Sequence, residues 1–260
     1  MKNKLKLNPG EIHLWAVFTE QIQDKKLLTA YKSMMTQEEH ARHQRFYFQK
    51  HRHRFLITRA LVRTTLSRYW NIAPENWRFS KNKYGRPEII FPQRILPVRF
   101  NISHTKGLVV CGVALKYDIG VDIENIGKSS RTSDIAKRFF SSCEAQDIFS
   151  VPKEKQLERF LYYWTLKEAY IKAKGMGLSL PFEQFAFDIS EKGLSISFDP
   201  KLKDDPAHWQ FWLFRLAPVH CLAVSICRKN RIFSQPTFIK TVPLVQEQYF
   251  FPEILNKSAV

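Results

Sequence analysis

Hydrophobic and polar residues recur with two periods along the chain, and they predict strands and helices in a repeated order. Near the start, EIHLWAVF alternates as a half-buried strand does. From Thr36 to Trp70 there is no Gly or Pro, and apolar residues stand at helical spacing. This stretch predicts one long helix or two abutting helices, with Thr36 as the N-cap.

Strand-like segments follow, and they are RFNISH, GLVVCGVAL and IGVDIENI. The short polar turns between them predict antiparallel neighbours in one sheet. SDIAKRFF and SSCEAQDIFS then look helical, with Ser133 and Ser142 as caps, and KQLERFLYYWTLKEAYIKAKG predicts an amphipathic helix that ends at Gly175. Four more strands are predicted, in FEQFAFDI, LSISFDP, WQFWLFRLA and HCLAVSICR.

The order of strand, helix and sheet therefore occurs twice, which predicts an α+β protein. The first half covers residues 1–115 and the second covers residues 116–228. Residues 229–260 show no clear period and are expected to form an extension without an assigned role. The two halves do not align residue by residue, so the repeated order alone suggests an internal duplication.

Charge indicates an anionic partner. The 260 residues carry a formal net charge of +17, and no acidic residue occurs from His40 to Pro74. A solvated basic helix face or a surface that binds phosphate, nucleic acid, an acidic protein or an anionic membrane would each fit. No P-loop or G-x-G-x-x-G motif is present, and the four cysteines are scattered, which predicts reduced thiols in a cytoplasmic protein. No apolar run is long enough to span a bilayer.

Two pairs of charged residues are candidates for chemistry. Asp122 and Glu124 in IGVDIEN are two positions apart on a predicted strand, so both point to one face and repel each other. Mg²⁺ would offset that repulsion, although two solvated acids on an edge strand would also fit. Glu168 and Lys172 are four residues apart on one helix face, as a surface ion pair or as part of a site on this aromatic-rich helix.

Two shorter motifs carry candidate phosphate contacts. In FNISH, His104 fits either a phosphate contact or a structural donor, and Ser103 fits either a ligand contact or the start of a turn. NKYGRPEI predicts a turn built on Gly85 and Pro87. Arg86 in that turn would grip phosphate from a rigid mount, or would simply be an exposed arginine.

YGRP, FNISH, GVDIE and WTLKEAYIKAKGMGL, in this order, resemble the Sfp-type 4′-phosphopantetheinyl transferases. The resemblance runs from about Arg45 to Phe187. It implies a monomer of two similar α+β halves related by pseudo-twofold symmetry, with coenzyme A between them. It also implies transfer of phosphopantetheine from coenzyme A to a serine of an apo acyl or peptidyl carrier protein, with release of adenosine 3′,5′-bisphosphate. Such carriers are typically acidic around that serine.

The resemblance also implies a role for each matching residue. Asp122, Glu124 and Glu168 would bind Mg²⁺, and Asp122, Glu168 and Lys172 would be the catalytic residues, with Glu168 as the candidate general base. Lys172 would stabilise charge on the pyrophosphate. Coenzyme A would be held by Lys172 and by Arg54, Arg86, Pro87, Ser103 and His104, of which Arg54 and Arg86 take the 3′-phosphate end and Pro87 and Ser103 shape the adenine slot.

The chain departs from its relatives at two positions. Many relatives have Lys where this chain has Arg86, and some have a phosphate-binding Lys where it has Glu39, with Arg42 one turn further on. Two other functions fit parts of the sequence: a basic nucleic-acid-binding module, and a non-catalytic binder of coenzyme A or a carrier. The acids of GVDIE would repel a nucleic-acid backbone unless a metal intervened. Neither a nucleic acid nor a membrane is the expected partner.

Overall fold

The described residues, 4–91, 98–127 and 140–259 of a computed structural model, form two packed sheets with helices on their outer faces. The helices are α1 (Lys25–Ser33), α2 (Gln37–Arg45), α3 (Gln49–Ser67), α4 (Ser142–Ser150) and α5 (Lys153–Lys174). The strands are β1 (Ile12–Phe18), β2 (Arg78–Lys81), β3 (Pro87–Phe91), β4 (Val98–Thr105), β5 (Leu108–Leu115), β6 (Ile119–Asn125), β7 (Phe185–Ser190), β8 (Gly193–Phe198), β9 (Trp209–Ala217), β10 (His220–Cys227), β11 (Thr237–Val242), β12 (Gln246–Phe250) and β13 (Glu253–Lys257).

The two sheets repeat one topology. The first has the order β12-β11-β1-β5-β4, and the second has the order β13-β9-β10-β6. The series β1-β5-β4 corresponds to β6-β10-β9, and all neighbours within each series are antiparallel. In each half a long helix and then a separate hairpin follow the first strand of the series: α3 with β2-β3, and α5 with β7-β8. The predicted α+β fold of two similar, pseudo-twofold-related halves is confirmed.

Alternation along the strands builds a molecule of four layers, helix, sheet, sheet and helix. On β1, Trp15 and Val17 face α3, whereas Leu14 and Ala16 face the second sheet. Every residue of β5, an interior strand of the first sheet, is buried because both of its faces are covered. The largest side chain of the inter-sheet core is Trp212, which comes from β9 of the second sheet.

The pairing predicted for β6 is wrong. Strands β4 and β5 are antiparallel neighbours, but β6 leaves their sheet and pairs with β10 at the edge of the second sheet. Side chains of β4 bridge the gap to its edge. Asn101 Oδ1 accepts a hydrogen bond from the Val121 amide at 3.1 Å, and Ser103 Oγ accepts one from the Ile123 amide at 3.3 Å. The two halves are thus joined beside the acidic motif.

The helix boundaries follow local signals. Two abutting helices, α2 and α3, are present, and Thr36 caps α2 with Glu39 in a capping box. Helix α5 ends at Gly175, whose φ of 66° lies in the left-handed region that favours glycine. The cap of α4 is Ser141, one residue before the predicted Ser142, because its hydroxyl reaches the Glu144 amide. The predicted SDIAKRFF helix and its Ser133 cap lie outside the described residues, except for Phe140.

The extension after residue 228 contributes to both sheets. Strand β11 pairs in parallel with β1 and is itself flanked by β12, whereas β13 pairs with β9 in the second sheet. Phe233 and Phe238 from this segment are buried in the inter-sheet core. In the described ranges, no helix has the length and apolarity that crossing a membrane would require.

Candidate active site

A cleft with a volume of about 910 Å³ opens between the two halves. The first half contributes residues of α2, α3, β2 and β4 and of the turn between β2 and β3. The second half contributes Asp122 and Glu124 from β6 and Lys172 from α5. Acidic and basic side chains therefore face each other across a space large enough for a substantial ligand.

Close packing of α5 on β6 places the acids and the lysine together. Gly120, Asp122 and Glu124 alternate on the face of β6 that meets α5. A Cβ at Gly120 would lie 1.9 Å from the Ala169 carbonyl oxygen, so the helix backbone approaches as closely as it does because this residue is glycine. One turn of α5 then separates Glu168 from Lys172, which gives both side chains access to Asp122.

Asp122 is a buried carboxylate with one oxygen left over. Its Oδ1 accepts hydrogen bonds from Lys172 Nζ at 2.5 Å and from Ser103 Oγ at 2.9 Å, and Lys172 Nζ lies 3.0 Å from that same hydroxyl oxygen. Its Oδ2 is buried and has no hydrogen-bond partner among the described residues. Because such an atom is costly to leave bare, it indicates a ligand at this position.

The neighbouring acids are perturbed by their surroundings. Burial, and then the Asp122 carboxylate, raise the pKa of Glu124 from 4.5 to about 7. The same two causes, in the same order, raise the pKa of Glu168. Burial and mutual repulsion both disfavour the charged carboxylates, and a cation bound beside them would offset both effects.

The donor set fits Mg²⁺, although it does not form a closed cage. Across the described ranges, no three His, Cys, Asp or Glu side chains converge in a ready-made metal site, and Lys172 occupies one Asp122 oxygen. Mg²⁺ is typically held by one or two carboxylates, with waters and substrate phosphates completing its octahedron. The bare Asp122 Oδ2 beside Glu124 and Glu168 supplies oxygen donors of that kind.

One face of α3 forms the basic wall. His51, Arg54, Phe55, Thr58 and Arg59 line the cleft at the spacing of a single helix face. Arg54 donates a hydrogen bond to His51 Nδ1 at 3.1 Å. Arg54 has no carboxylate partner among the residues that the structure describes, so its charge is free for an anion.

The structure brings most of the predicted site residues to this cleft. Those that line it are Arg54, Pro87, Ser103, His104, Asp122, Glu124 and Lys172. Glu168 lies half-buried on α5 behind that lining, within electrostatic range of Asp122. The assignments of these residues to metal, catalysis and coenzyme A remain predictions.

Arg86 lies elsewhere, in a junction between the halves. Its guanidinium donates to the Ala173 carbonyl oxygen at 3.1 Å and lies 3.4 Å from Asp118 Oδ1 and 3.2 Å from Glu88 Oε1. The Gly175 Cα packs against it so closely that a Cβ there would lie 2.7 Å from the guanidinium. Arg86 therefore hydrogen-bonds the C-terminal end of α5, and its positive charge is compensated by two carboxylates.

Sequence reasoning missed two cations of the cleft, Arg59 and Lys81, and it named Arg42 only as the residue one turn after Glu39. Arg59 follows His51 and Arg54 at helical spacing, so extending the face of α3 by one turn would have found it. Arg42 and Lys81 reach the cleft through the packing of α2 and of the β2-β3 hairpin, which no local pattern encodes.

Comparison with known proteins gives the same assignment for both halves. The family model described as "4′-phosphopantetheinyl transferase, N-terminal" matches residues 22–115, and the model of the 4′-phosphopantetheinyl transferase superfamily matches residues 118–227. The 4′-phosphopantetheinyl transferase HetI of Nostoc sp. is 35% identical over 67% of this chain and 73% of its own.

Two further relatives carry the same description. The 4′-phosphopantetheinyl transferase Sfp of Bacillus subtilis is 36% identical over 63% of this chain and 70% of its own. The 4′-phosphopantetheinyl transferase psf-1 of Bacillus pumilus is 30% identical over 81% of this chain and 88% of its own. With matches over both halves and over more than two thirds of these relatives, the chain belongs to the 4′-phosphopantetheinyl transferase family.

Proposed function

We propose that this transferase moves the 4′-phosphopantetheine group of coenzyme A to a serine hydroxyl of an apo acyl or peptidyl carrier protein and releases adenosine 3′,5′-bisphosphate. One observation carries the proposal: a single cleft has the Asp122–Lys172 cluster on one wall and the cationic face of α3 on another. Coenzyme A has a pyrophosphate and a separate phosphomonoester, which match two charged walls. Membership in a transferase family favours catalysis over both binding alternatives.

Asp122, Glu124 and Glu168 would hold Mg²⁺ in this reaction. The bare Asp122 Oδ2 supports this proposal, as do the raised pKa values of the two glutamates. When bound, the ion would neutralise charge on the pyrophosphate. Ser103 and Lys172 fix Asp122 Oδ1 by hydrogen bonds, which leaves Oδ2 as the oxygen that faces a ligand.

Glu168 would accept the proton of the attacking serine. The serine oxygen forms a bond to the phosphorus that bears the pantetheine, and the bond from that phosphorus to the bridging oxygen breaks. The proton passes to the Glu168 carboxylate, directly or through water, and the nucleotide leaves with the electron pair. A carboxylate whose pKa is raised by burial is a stronger base than an exposed one, which suits it to this step.

Lys172 would stabilise the charge that develops on the leaving phosphate. Its ammonium group is held by Asp122 and Ser103 before any substrate arrives. A preorganised cation needs no further reorganisation as the bond breaks, which is the main source of electrostatic catalysis.

His104, exposed at the end of β4 and lining the same cleft, is assigned to a phosphate of coenzyme A, and Pro87 and Ser103 to the adenine slot.

The acidic carrier would be attracted by the charge of the whole protein. A net charge of +17 raises the rate of encounter with an acidic partner, and dissolved salt screens this attraction. We expect the Michaelis constant for the carrier to rise when sodium chloride is increased from about 0.05 to about 0.5 M, because the Debye length becomes shorter over that range. A Michaelis constant that stays unchanged across the series would contradict electrostatic steering.

Intact-mass analysis of the carrier tests the proposed function. An apo carrier protein is incubated with this chain, coenzyme A and Mg²⁺, with a parallel reaction in EDTA. We expect the carrier to gain one phosphopantetheine in the first reaction and none in the second. No gain on carriers of fatty-acid, polyketide and peptide synthesis would overturn the carrier assignment, and a gain that persists in EDTA would overturn the metal assignment.

A further inference from the structure

Arg59 is a cleft cation to which neither the sequence motifs nor the proposed chemistry gives a role. It lies two turns after His51 and one turn after Phe55 on the face of α3 that lines the cleft. Its guanidinium lies 5.3 Å from the centre of the Phe55 ring, and the guanidinium of Arg42 lies 5.5 Å from the centre of the same ring. Two arginines from different helices are thus held against one aromatic side chain.

Glu39 holds Arg59 loosely because it is committed to another arginine. Glu39 Oε2 lies 2.6 Å from Arg63 Nη2 and also accepts the Thr36 amide at 3.1 Å, whereas Glu39 Oε1 lies 3.5 Å from Arg59 Nη1. Arg63 is fully buried and also donates to the Trp77 carbonyl oxygen, so it is structural. Glu39 therefore compensates mainly the charge of Arg63 and only weakly that of Arg59.

The wall is left with a surplus of positive charge. Arg42 and Arg54 have no carboxylate partner in the described part of the chain, and Arg59 has one long contact to Glu39. Arg59 is also poorly hydrated, because 21% of its side chain is exposed. Burial lowers the pKa of its guanidinium despite Glu39, which means that its charged form lacks sufficient compensation. A bound anion would supply it.

The geometry of the proposed reaction decides which anion this is. The reacting pyrophosphate belongs beside Asp122 and Lys172, on the β6 and α5 wall. The cations of α3 lie on a different wall and can meet the other phosphate of the same molecule. Arg86 is occupied by Asp118, Glu88 and the end of α5, so the cleft cations are better placed than Arg86 to take this group.

We propose that Arg59 is a specificity-determining residue that binds the 3′-phosphate of coenzyme A together with Arg54, and that Glu39 positions it. A phosphomonoester carries nearly two negative charges and offers three oxygens, which two guanidinium groups can engage. The proposal rests on the proposed function, because it takes coenzyme A as the substrate. It predicts that the chain distinguishes coenzyme A from 3′-dephospho-coenzyme A through Arg59.

Binding of these two ligands isolates the phosphate contact. Dissociation constants for coenzyme A and 3′-dephospho-coenzyme A are measured by titration calorimetry on the full chain with Mg²⁺ and without a carrier. The variants are Arg59→Gln, Arg59→Lys and the control Lys50→Gln. Lys50 is an exposed residue of α3 that does not line the cleft, so its substitution removes the same charge from the same helix. Thermal melts establish that each variant is folded.

Arg59→Gln should weaken coenzyme A binding by about tenfold or more and leave binding of the dephosphorylated ligand unchanged. Arg59→Lys should keep part of the preference because it retains the charge without the fork of donors, and it carries the test if Arg59→Gln fails to fold. Lys50→Gln should keep the wild-type ratio. Equal losses for both ligands in the Arg59 variants, or no loss, would overturn the proposal.

Failure of the proposed function would look different. If the wild-type chain binds coenzyme A but modifies no carrier, the transfer proposal is overturned while the ratio of the two dissociation constants still decides the role of Arg59. If the wild-type chain does not prefer coenzyme A over the dephosphorylated ligand, the Arg59 proposal is overturned whatever the transfer assay shows.

Discussion

At the scale of single residues, Asp122 gives the clearest indication of a ligand site. It is 4% exposed, its Oδ1 is doubly hydrogen-bonded and its Oδ2 has no partner in the described residues. A buried charge that is only half satisfied lowers stability, so a stable fold keeps it where a ligand completes it. Lys172 compensates part of the charge, and a divalent cation with its phosphates would compensate the rest.

Asp122→Asn tests this interpretation. Turnover should fall by about two orders of magnitude or more, because the amide is a poor ligand for Mg²⁺ and leaves Lys172 without its anion. The melting temperature should change little, since the loss of the ion pair is offset by removal of a half-satisfied buried charge. The matched control is Asp188→Asn, an exposed acid on β7 that should retain wild-type turnover. Near-normal transfer by Asp122→Asn would contradict the role given to this carboxylate.

At the scale of elements, local signals predict some features and packing decides others. The end of α5 follows from Gly175, and the joint placement of Asp122 and Glu124 follows from strand periodicity. The pairing of β6 does not, because its partner β10 is remote in sequence, with Val121 opposite Val224, and the turn after β5 resembles a hairpin turn. Helical spacing places Arg59 on the cleft face of α3, but its weak pairing with Glu39 does not follow from the spacing, because Glu39 comes from another helix.

The β2-β3 turn is fastened to the end of α5, the helix that carries Lys172. Asn82 Nδ2 donates to the Gly175 carbonyl oxygen at 3.0 Å, while Asn82 Oδ1 accepts the amides of Tyr84 and Arg86 and so shapes the turn. The Arg86 side chain adds the contact to Ala173. Bonds from a first-half turn thus satisfy the carbonyl groups that a helix leaves open at its C-terminus.

Arg86→Met separates this structural role from the phosphate contact that the family resemblance implies. The free energy of unfolding should fall by about 1–3 kcal/mol, since a part-buried carbonyl and two acids lose a charged donor. Coenzyme A affinity, measured by calorimetry, should stay near the wild-type value. Arg99→Met is the matched control, because Arg99 also pairs with Asp118, at 3.2 Å, but is half-exposed. Loss of coenzyme A affinity without loss of stability would instead support direct phosphate binding by Arg86.

At the scale of the whole molecule, buried histidines make stability depend on pH. His13 on β1 is 9% exposed, and its Nδ1 lies 2.7 Å from the Tyr69 hydroxyl. Burial lowers the pKa of His13 from 6.5, and Glu11 opposes this effect without cancelling it. The unfolded chain therefore binds a proton more readily than the folded one, and the stability contributed by neutral His13 is lost as the pH falls below about 6.5.

His13→Asn isolates that contribution. The variant should be less stable than the wild-type chain at pH 7.5, because it loses packing and the contact to Tyr69. The difference should shrink at pH 5.5, because there the unfolded wild-type chain gains a proton on His13 that the folded chain binds less readily. Urea denaturation at both pH values measures it. Comparing variant with wild type cancels the opposite contribution of Glu124 and Glu168, whose pKa values are raised. A difference that is the same at both pH values would contradict the shift.

The C-terminal segment holds the two halves together, because it adds strands to both sheets and fills the core between them. Phe238 on β11 is 3% exposed and lies between Phe214 of β9 and Phe250 of β12, with ring centres 4.8 and 5.5 Å away.

Phe238→Ala should lower the free energy of unfolding by about 3–5 kcal/mol, measured by urea denaturation, since it opens a cavity between the sheets. Phe251→Ala, at a tail residue that is 92% exposed, should change it by about 0.5 kcal/mol or less. Phe238→Ala should also weaken coenzyme A binding, because the cleft is lined by both halves. Equal free energies of unfolding for the two variants would show that the segment is dispensable for joining the halves.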